Sequence, residues 1–299
     1  MSILIDKNTT ALVQGITGKE GSRAAQGMLQ YGTQVVAGVT PGKGGMKTEE
    51  GVPVYESVQE ALQAHPEINA SLIAIPGKFV RAAAEESIAA RIPLINILSE
   101  RIPIADVAYI LVLAKKAGVT IVGPSSVGIL SPGKGKIGSI GSGGLAEKIF
   151  ASGPVGVISK SGGMTAEISR ILTDAGIGQS TAIGIGGDPL IGLDFLDAAL
   201  LFESDPETRA LVIFGEVGGV YEERLAEALA AGTITKPVVA LIAGAFAEHL
   251  PFDTQLGHAG AIIEGGRGSA SVKIQKLTAA GAHLAETPED IVGILKKLL

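Results

Sequence analysis

The chain has 299 residues, enough for two ordinary domains with separate apolar cores. It carries a formal net charge of −6, 46% hydrophobic residues and no cysteine. That excludes a basic nucleic-acid surface, a disordered chain, disulfides, a thiol nucleophile and thiolate metal sites. Apolar runs stay well short of the ~20 residues of a transmembrane helix, and the first residues lack the pattern of a secretory signal. The expectation is a cytoplasmic protein with no membrane or nucleic-acid partner.

Short Val/Ile/Leu/Ala runs alternate with Gly-rich turns and longer Ala/Glu/Leu segments, which predicts an α/β fold of parallel strands joined by crossover helices. Strands are expected at 11–13, 34–38, 70–74, 94–97 and 120–122, with helices at 22–30, 57–64, 80–90 and 104–117 between them. Each strand is apolar throughout, as in a sheet covered on both faces. Segment 131–152 is rich in Gly, Ser and Lys without an apolar period, and reads as a linker between domains 1–130 and 153–299. The second domain offers strands at 155–159, 180–184, 210–214 and 238–242 and helices at 165–175, 195–203, 222–231 and 269–280. A last helix, 288–299, has Thr287 placed as its N-cap and Pro288 as its first residue.

The 42 glycines set beside only 4% aromatics point to turns where backbone approaches a ligand. Gly15-Ile16-Thr17-Gly18-Lys19-Glu20-Gly21 follows the first strand and opens a helix, the context of a phosphate-binding turn. The second strand ends in Thr40-Pro41-Gly42-Lys43-Gly44-Gly45, not in the acidic residue of an NAD site, so a phosphate ligand is favoured over a ribose hydroxyl and an oxidoreductase is disfavoured. Ser161-Gly162-Gly163 begins a second helix after a strand and offers either an N-cap or another anion site. His258 lies in Gly257-His258-Ala259-Gly260, a setting too open for a core histidine, and imidazole is a competent nucleophile toward phosphorus at neutral pH. Glu216, between Gly215 and Val217-Gly218, is the candidate carboxylate to orient it. His65, His249 and His283 lack such surroundings, and no second His stands at metal-ligand spacing from His258.

Together, Val13-Gln14-Gly15-Ile16-Thr17-Gly18, Gly38-Val39-Thr40-Pro41-Gly42-Lys43-Gly44-Gly45, Gly184-Ile185-Gly186-Gly187-Asp188-Pro189, Gly215-Glu216-Val217-Gly218-Gly219 and Gly257-His258-Ala259-Gly260-Ala261-Ile262-Ile263 resemble the α subunit of succinyl-CoA synthetase over the whole chain. The resemblance implies a Rossmann-like CoA-binding domain followed by a flavodoxin-like ligase domain. It places CoA on Thr17, Gly18, Lys19, Glu20, Gly21, Lys43, Ile75, Pro76, Ser99 and Glu100. It makes His258 the phosphorylated residue and Glu216 its partner, and assigns phosphate or substrate contacts to Ser125, Ser126, Ser161, Gly162 and Gly163. It also implies a β subunit whose ATP-grasp domain holds ATP or GTP with Mg²⁺, and a small carboxylic acid as substrate.

Three positions depart from the succinate pattern. Gly123-Pro124-Ser125-Ser126-Val127-Gly128 replaces Gly-Pro-Asn-Cys-Pro-Gly, Gly163 replaces a Thr, and Arg23-Ala24 replaces Phe-His. Ser159-Lys160-Ser161-Gly162-Gly163-Met164 and 252–258 look more like ATP-citrate lyase, so a citrate–CoA ligase subunit stands as the alternative, beside a noncatalytic CoA-binding protein.

Overall fold

The computed structural model describes residues 3–141, 144–250, 257–261 and 268–299. Its first sheet is built from β1 (Thr10–Gln14), β2 (Gln34–Val39), β3 (Val54–Tyr55), β4 (Ala70–Ile73), β5 (Leu94–Ile97) and β6 (Thr120–Val122). These strands are all parallel, in the order β3-β2-β1-β4-β5-β6. The crossovers are α1 (Lys19–Gln30), α2 (Val58–Ala64), α3 (Val80–Ala89) and α4 (Ile104–Ala117). This is the Rossmann strand order, which reverses direction between β1 and β4 and opens a crevice at their C-terminal ends. β1, β4 and β5 are buried at every position, as covering helices on both faces require.

The second half contains β7 (Gly128–Ser131), β8 (Gly135–Gly138), α5 (Ala146–Ile149), β9 (Ser152–Ser159), α6 (Gly162–Asp174), β10 (Gln179–Gly184) and α7 (Phe195–Glu203). It continues through β11 (Ala210–Glu216), α8 (Tyr221–Ala230), β12 (Val238–Ala243), α9 (Ala270–Ala279), β13 (His283–Ala285) and α10 (Asp290–Leu298). The sheet runs β13-β12-β11-β9-β10-β7-β8. From β9 to β13 it is parallel in the flavodoxin-like order, with the reversal between β9 and β11. Asp194 caps α7, accepting from the amides of Leu196 and Asp197, and its carboxylate also pairs with Arg224 of α8.

Two expectations are corrected. The stretch read as a linker, 131–152, carries the end of β7 and all of β8, a hairpin that pairs antiparallel with β10 and closes one edge of the second sheet. Its Gly, Ser and Lys composition hides strands whose residues are all buried. The last helix begins at Asp290, not Pro288. Its Asp290 carboxylate accepts from the Glu286 and Thr287 amides and from the Thr287 hydroxyl, so Thr287 donates to the helix instead of capping it.

A buried polar seam joins the two sheets. Asn96 Nδ2 of β5 donates to Val122 O at 3.1 Å and to Ser126 Oγ at 2.8 Å. Ser126 Oγ donates to Gly184 O of β10 at 2.5 Å and accepts from the Gly128 amide at 3.0 Å. One hydroxyl thus serves both halves of the chain. Ser126→Ala should lower the unfolding free energy by about 1–3 kcal/mol, the usual cost of stranding buried polar partners. Urea titration of the full-length chain, with the denaturant slope unchanged, is the measurement.

Candidate active site

The first crevice lies where β1 and β4 diverge. Gly18 caps α1 with its amide on Gly15 O at 2.9 Å, which leaves the first-turn amides of α1 facing outward. Gly21 is fixed by contact, because a Cβ there would lie 2.2 Å from Gly15 O. Thr17 Oγ1 donates to Thr40 Oγ1 at 3.2 Å and ties this loop to the one that carries Lys43. The Lys43 loop is pinned by Glu56, whose two carboxylate oxygens accept from the Gly42 and Gly44 amides at 2.6 Å each. Those bonds hold the Glu56 carboxyl below its ordinary range. Ile75 sits beside Gly15, and its amide donates to Ser99 Oγ at 3.1 Å. Ser99 Oγ in turn donates to Ile75 O at 2.5 Å, and the Ser125 amide donates to Ser99 O at 2.9 Å. The loops after β1, β2, β4 and β5 are therefore laced into one rim of glycines and amides that fits a phosphorylated ligand, with Lys19, Glu20 and Lys43 exposed around it.

The second crevice lies where β9 and β11 diverge. Ser161, two residues past the end of β9, caps α6 by accepting from the Met164 amide at 3.4 Å. Glu216 ends β11. His258 Nδ1 lies 2.6 Å from Glu216 Oε2, and with a carboxylate as acceptor this nitrogen carries the hydrogen. Nε2 then presents its lone pair, and no described residue partners it. Behind the ring stands Gly187, where a Cβ would fall 2.6 Å from His258 Cγ. His258 therefore touches the loops after β10 and β11, the two neighbours of β9, and the loop of that middle strand opens α6.

Glu216 is held from the rear. Among the described residues its Oε1 has no hydrogen-bond partner, but it lies 3.6 Å from the buried Lys160 ammonium. Lys273, wholly buried, donates to Glu216 O at 2.8 Å, to Gly218 O at 2.6 Å and to the buried carboxylate of Glu222. Glu222 Oε1 accepts from the Glu216 amide at 3.2 Å. Burial lowers the Lys273 ammonium pKa while Glu222 opposes the shift. Removing either member would strand a buried charge, worth about 3–5 kcal/mol. His258 is raised above its ordinary range chiefly by the Glu216 hydrogen bond, against desolvation and Lys160, with Asp188 adding to the rise. Asp188 is itself raised, by burial first and then by Glu100 of the first domain. This places the rim of the first crevice within electrostatic reach of the second.

Most candidates from the sequence converge on these two crevices. Ser126 does not, because it is fully buried and its hydroxyl belongs to the seam. Ile262, Ile263 and 252–256 lie outside the described residues. The sequence reading missed Lys160, Lys273, Glu222, Asp188 and Glu56. Only Lys160 and Asp188 carried any signal, standing inside recognised motifs without a role of their own.

Family comparisons agree with this two-domain fold. Residues 6–101 match the CoA binding domain family and residues 158–283 match the CoA-ligase family. The α subunit of ADP-forming succinate–CoA ligase from Methanothermobacter thermautotrophicus is 47% identical over 99% of this chain and 97% of its own length. A subunit of ADP-forming sulfoacetate–CoA ligase from Bilophila wadsworthia is 40% identical over 100% of both chains. A solved structure of ATP citrate lyase from Methanosaeta concilii in complex with (3S)-citryl-CoA superposes with TM-score 0.89 at 27% identity, over 99% of this chain and 50% of that one. This chain thus spans about half the length of the lyase. A Rossmann-order CoA-binding half joined to a flavodoxin-order ligase half defines an acid–CoA ligase subunit. More particularly, the chain belongs to the family of α subunits of ADP-forming succinate–CoA ligase.

The charges around His258 make a test with two signs. Glu216→Gln should lower the His258 pKa, and Lys160→Met, which removes the opposing cation, should raise it further. Imidazole NMR titration of the full-length chain reads both. A shift of the same sign in the two variants would contradict the arrangement.

Proposed function

We propose that this chain is the phosphate-carrying subunit of an acid–CoA ligase, with His258 as nucleophile and succinate as the acid. The reading rests on the 2.6 Å pairing of His258 Nδ1 with Glu216 Oε2 at the β9/β11 switch point, which frees Nε2 for attack. Nε2 displaces the nucleoside diphosphate from the nucleotide γ-phosphorus, giving phosphohistidine. A carboxylate oxygen of the acid then takes the phosphoryl group, which gives an acyl phosphate and restores the imidazole. The CoA thiolate attacks the acyl carbon, forming the thioester and releasing inorganic phosphate. Glu216 stabilises the imidazolium character that appears in the first two steps, and the α6 N-terminus receives the phosphoryl oxygens. CoA lies across the first crevice on the Thr17–Gly21 amides and Lys43. A β subunit with an ATP-grasp domain supplies ATP or GTP, Mg²⁺ and the remainder of the phosphate site, so the chain alone does not turn over.

A second reading, citrate as the acid, draws on Gly163. Among the described residues a Cβ there would meet only Ser161 Oγ, at 3.9 Å, so the α6 N-terminus has room where the succinate pattern carries Thr.

Incubation of the reconstituted complex with γ-labelled ATP or GTP should give acid-labile label on this chain, absent in His258→Asn. Chase with CoA and succinate should discharge it. Discharge by citrate alone would select the second reading, and absence of label with both nucleotides would leave a CoA-binding protein without catalysis. If citrate is the acid, Gly163→Thr should lower its kcat/KM about tenfold, the scale of excluding one small group from a pocket.

A further inference from the structure

Two buried charges converge on the turn that carries Glu216. Lys273 of α9 and Glu222 of α8 are both wholly buried and paired with each other. The Lys273 ammonium has three hydrogens and meets three acceptors: Glu216 O at 2.8 Å, Gly218 O at 2.6 Å and the Glu222 carboxylate. It is saturated by the chain itself and has no donor left for a ligand. Glu222 meets Lys273 with Oε2 and accepts from the Glu216 amide, 3.2 Å away, with Oε1.

The sheet does not reach past this point. Glu216 is the last residue of β11 in register with β12, opposite Ala243, and β9 pairs with β11 only as far as Phe214. Beyond the ladder, Lys273 holds two carbonyls of the turn and Glu222 holds the Glu216 amide. The Gly218 amide donates to Gly268 O at 2.7 Å, and Lys160 reaches the Gly218 carbonyl only at 3.5 Å. Room is kept for the pair, because a Cβ at Gly215 would fall 2.7 Å from Glu222 Oε1. The lysine leaves from the capped start of α9, where Ser269 Oγ accepts from the Val272 amide at 3.3 Å and Ser269 O from the Lys273 amide at 3.2 Å.

Stability is a poor reason for such a pair. Two charges must leave water to form it, and apolar side chains of similar volume are often at least as stabilising. What apolar groups could not supply is a hold on three polar backbone atoms of one turn: Glu216 N, Glu216 O and Gly218 O.

We infer that Lys273 and Glu222 are positioning residues for the phosphoryl transfer: they fix the 216–218 turn, and through it the direction in which Glu216 holds the His258 ring. The inference rests on His258 being the phosphate acceptor, and both residues act on it only through Glu216.

The charge-neutral double variant Lys273→Met/Glu222→Leu removes both hooks and leaves the net charge near His258 unchanged, so a change in the imidazole titration reports geometry. The charged groups that act on the ring, Glu216, Lys160 and Asp188, stay in the chain. Imidazole NMR titration of the full-length chain should show the His258 pKa falling toward its ordinary value as the Glu216 bond loosens. In the reconstituted complex, labelling by γ-labelled nucleotide should slow about 10- to 100-fold at saturation, the scale of a small misplacement of reacting groups, with the nucleotide KM unchanged. Glu222→Asp keeps the charge but withdraws it by one methylene from the Glu216 amide. It should move both readings the same way by less. Urea titration checks that each variant unfolds cooperatively, and should the double variant fail to fold, Glu222→Asp decides. A folded variant with wild-type imidazole titration and wild-type labelling rate would overturn the inference and leave the pair purely structural. The titration needs neither nucleotide nor β subunit, so it separates the two claims. Absence of label on the wild-type complex would end the ligase reading, while the titration would still answer whether the pair positions the ring.

Discussion

A carboxylate that must hold an imidazole in one orientation cannot itself be free to turn, and Glu216 is prevented from turning at three points. Its Oε2 takes the His258 Nδ1 hydrogen, its Oε1 faces the Lys160 ammonium, and its carbonyl is gripped by Lys273. Both cations lie against Glu216, one at its carboxylate and one at its carbonyl. They keep the charge on Glu216 compensated and also temper the rise it imposes on the imidazole. The arrangement resembles a relay only in appearance. Under the proposed reading its work is orientation, since a ring whose far nitrogen is fixed presents the near one in a constant direction.

The backbone supplies the rest of the geometry. Two sheets of related winding each have one switch point, and each switch point gathers a helix N-terminus and glycine turns at the strand ends. The glycines at these places are set by contact: Gly21 leaves room for Gly15 O, and Gly187 for the face of His258. The two crevices are then brought near each other by the shared hydroxyl of Ser126 and by the 123–126 turn, so that Glu100 of one half is felt by Asp188 of the other.

Much of this could be read from the amino-acid sequence, for reasons that also explain the omissions. Apolar runs ending in glycine announce buried parallel strands, and a histidine between glycines announces an accessible ring, so β1, β4, β5, β9 and β11 and the His258–Glu216 pair were all foreseen. The cations behind Glu216 were not, because lysines in a polar setting such as Lys273 read as solvated until a carboxylate from another helix is folded onto them. β7 and β8 escaped because Gly-Lys-Ile-Gly has no alternating pattern, its burial coming from the neighbouring strand and from α1. The hydroxyl of Ser126 looked like a ligand contact, but its partners, Asn96 and Gly184, lie 30 and 58 residues away along the chain. Thr287 before Pro288 looked like a cap, and only the reach of the Asp290 carboxylate reverses the roles.

The hairpin β7–β8 has a further meaning for the chain as a modular object. The two recognisable segments end at 101 and begin at 158, yet β6, β7, β8 and α5 fall in the gap between them. That gap completes one edge of each sheet and contains the residues that sew the sheets together. A chain divided after 101 would carry an open strand edge and an unanswered Asn96 amide, and one divided before 158 would part the Ser126 hydroxyl from Gly184 O and β7 from β10. The units by which sequences are catalogued are here not the units that could be exchanged, duplicated or grafted. Any recombination that preserves this protein must treat the connection as part of both halves.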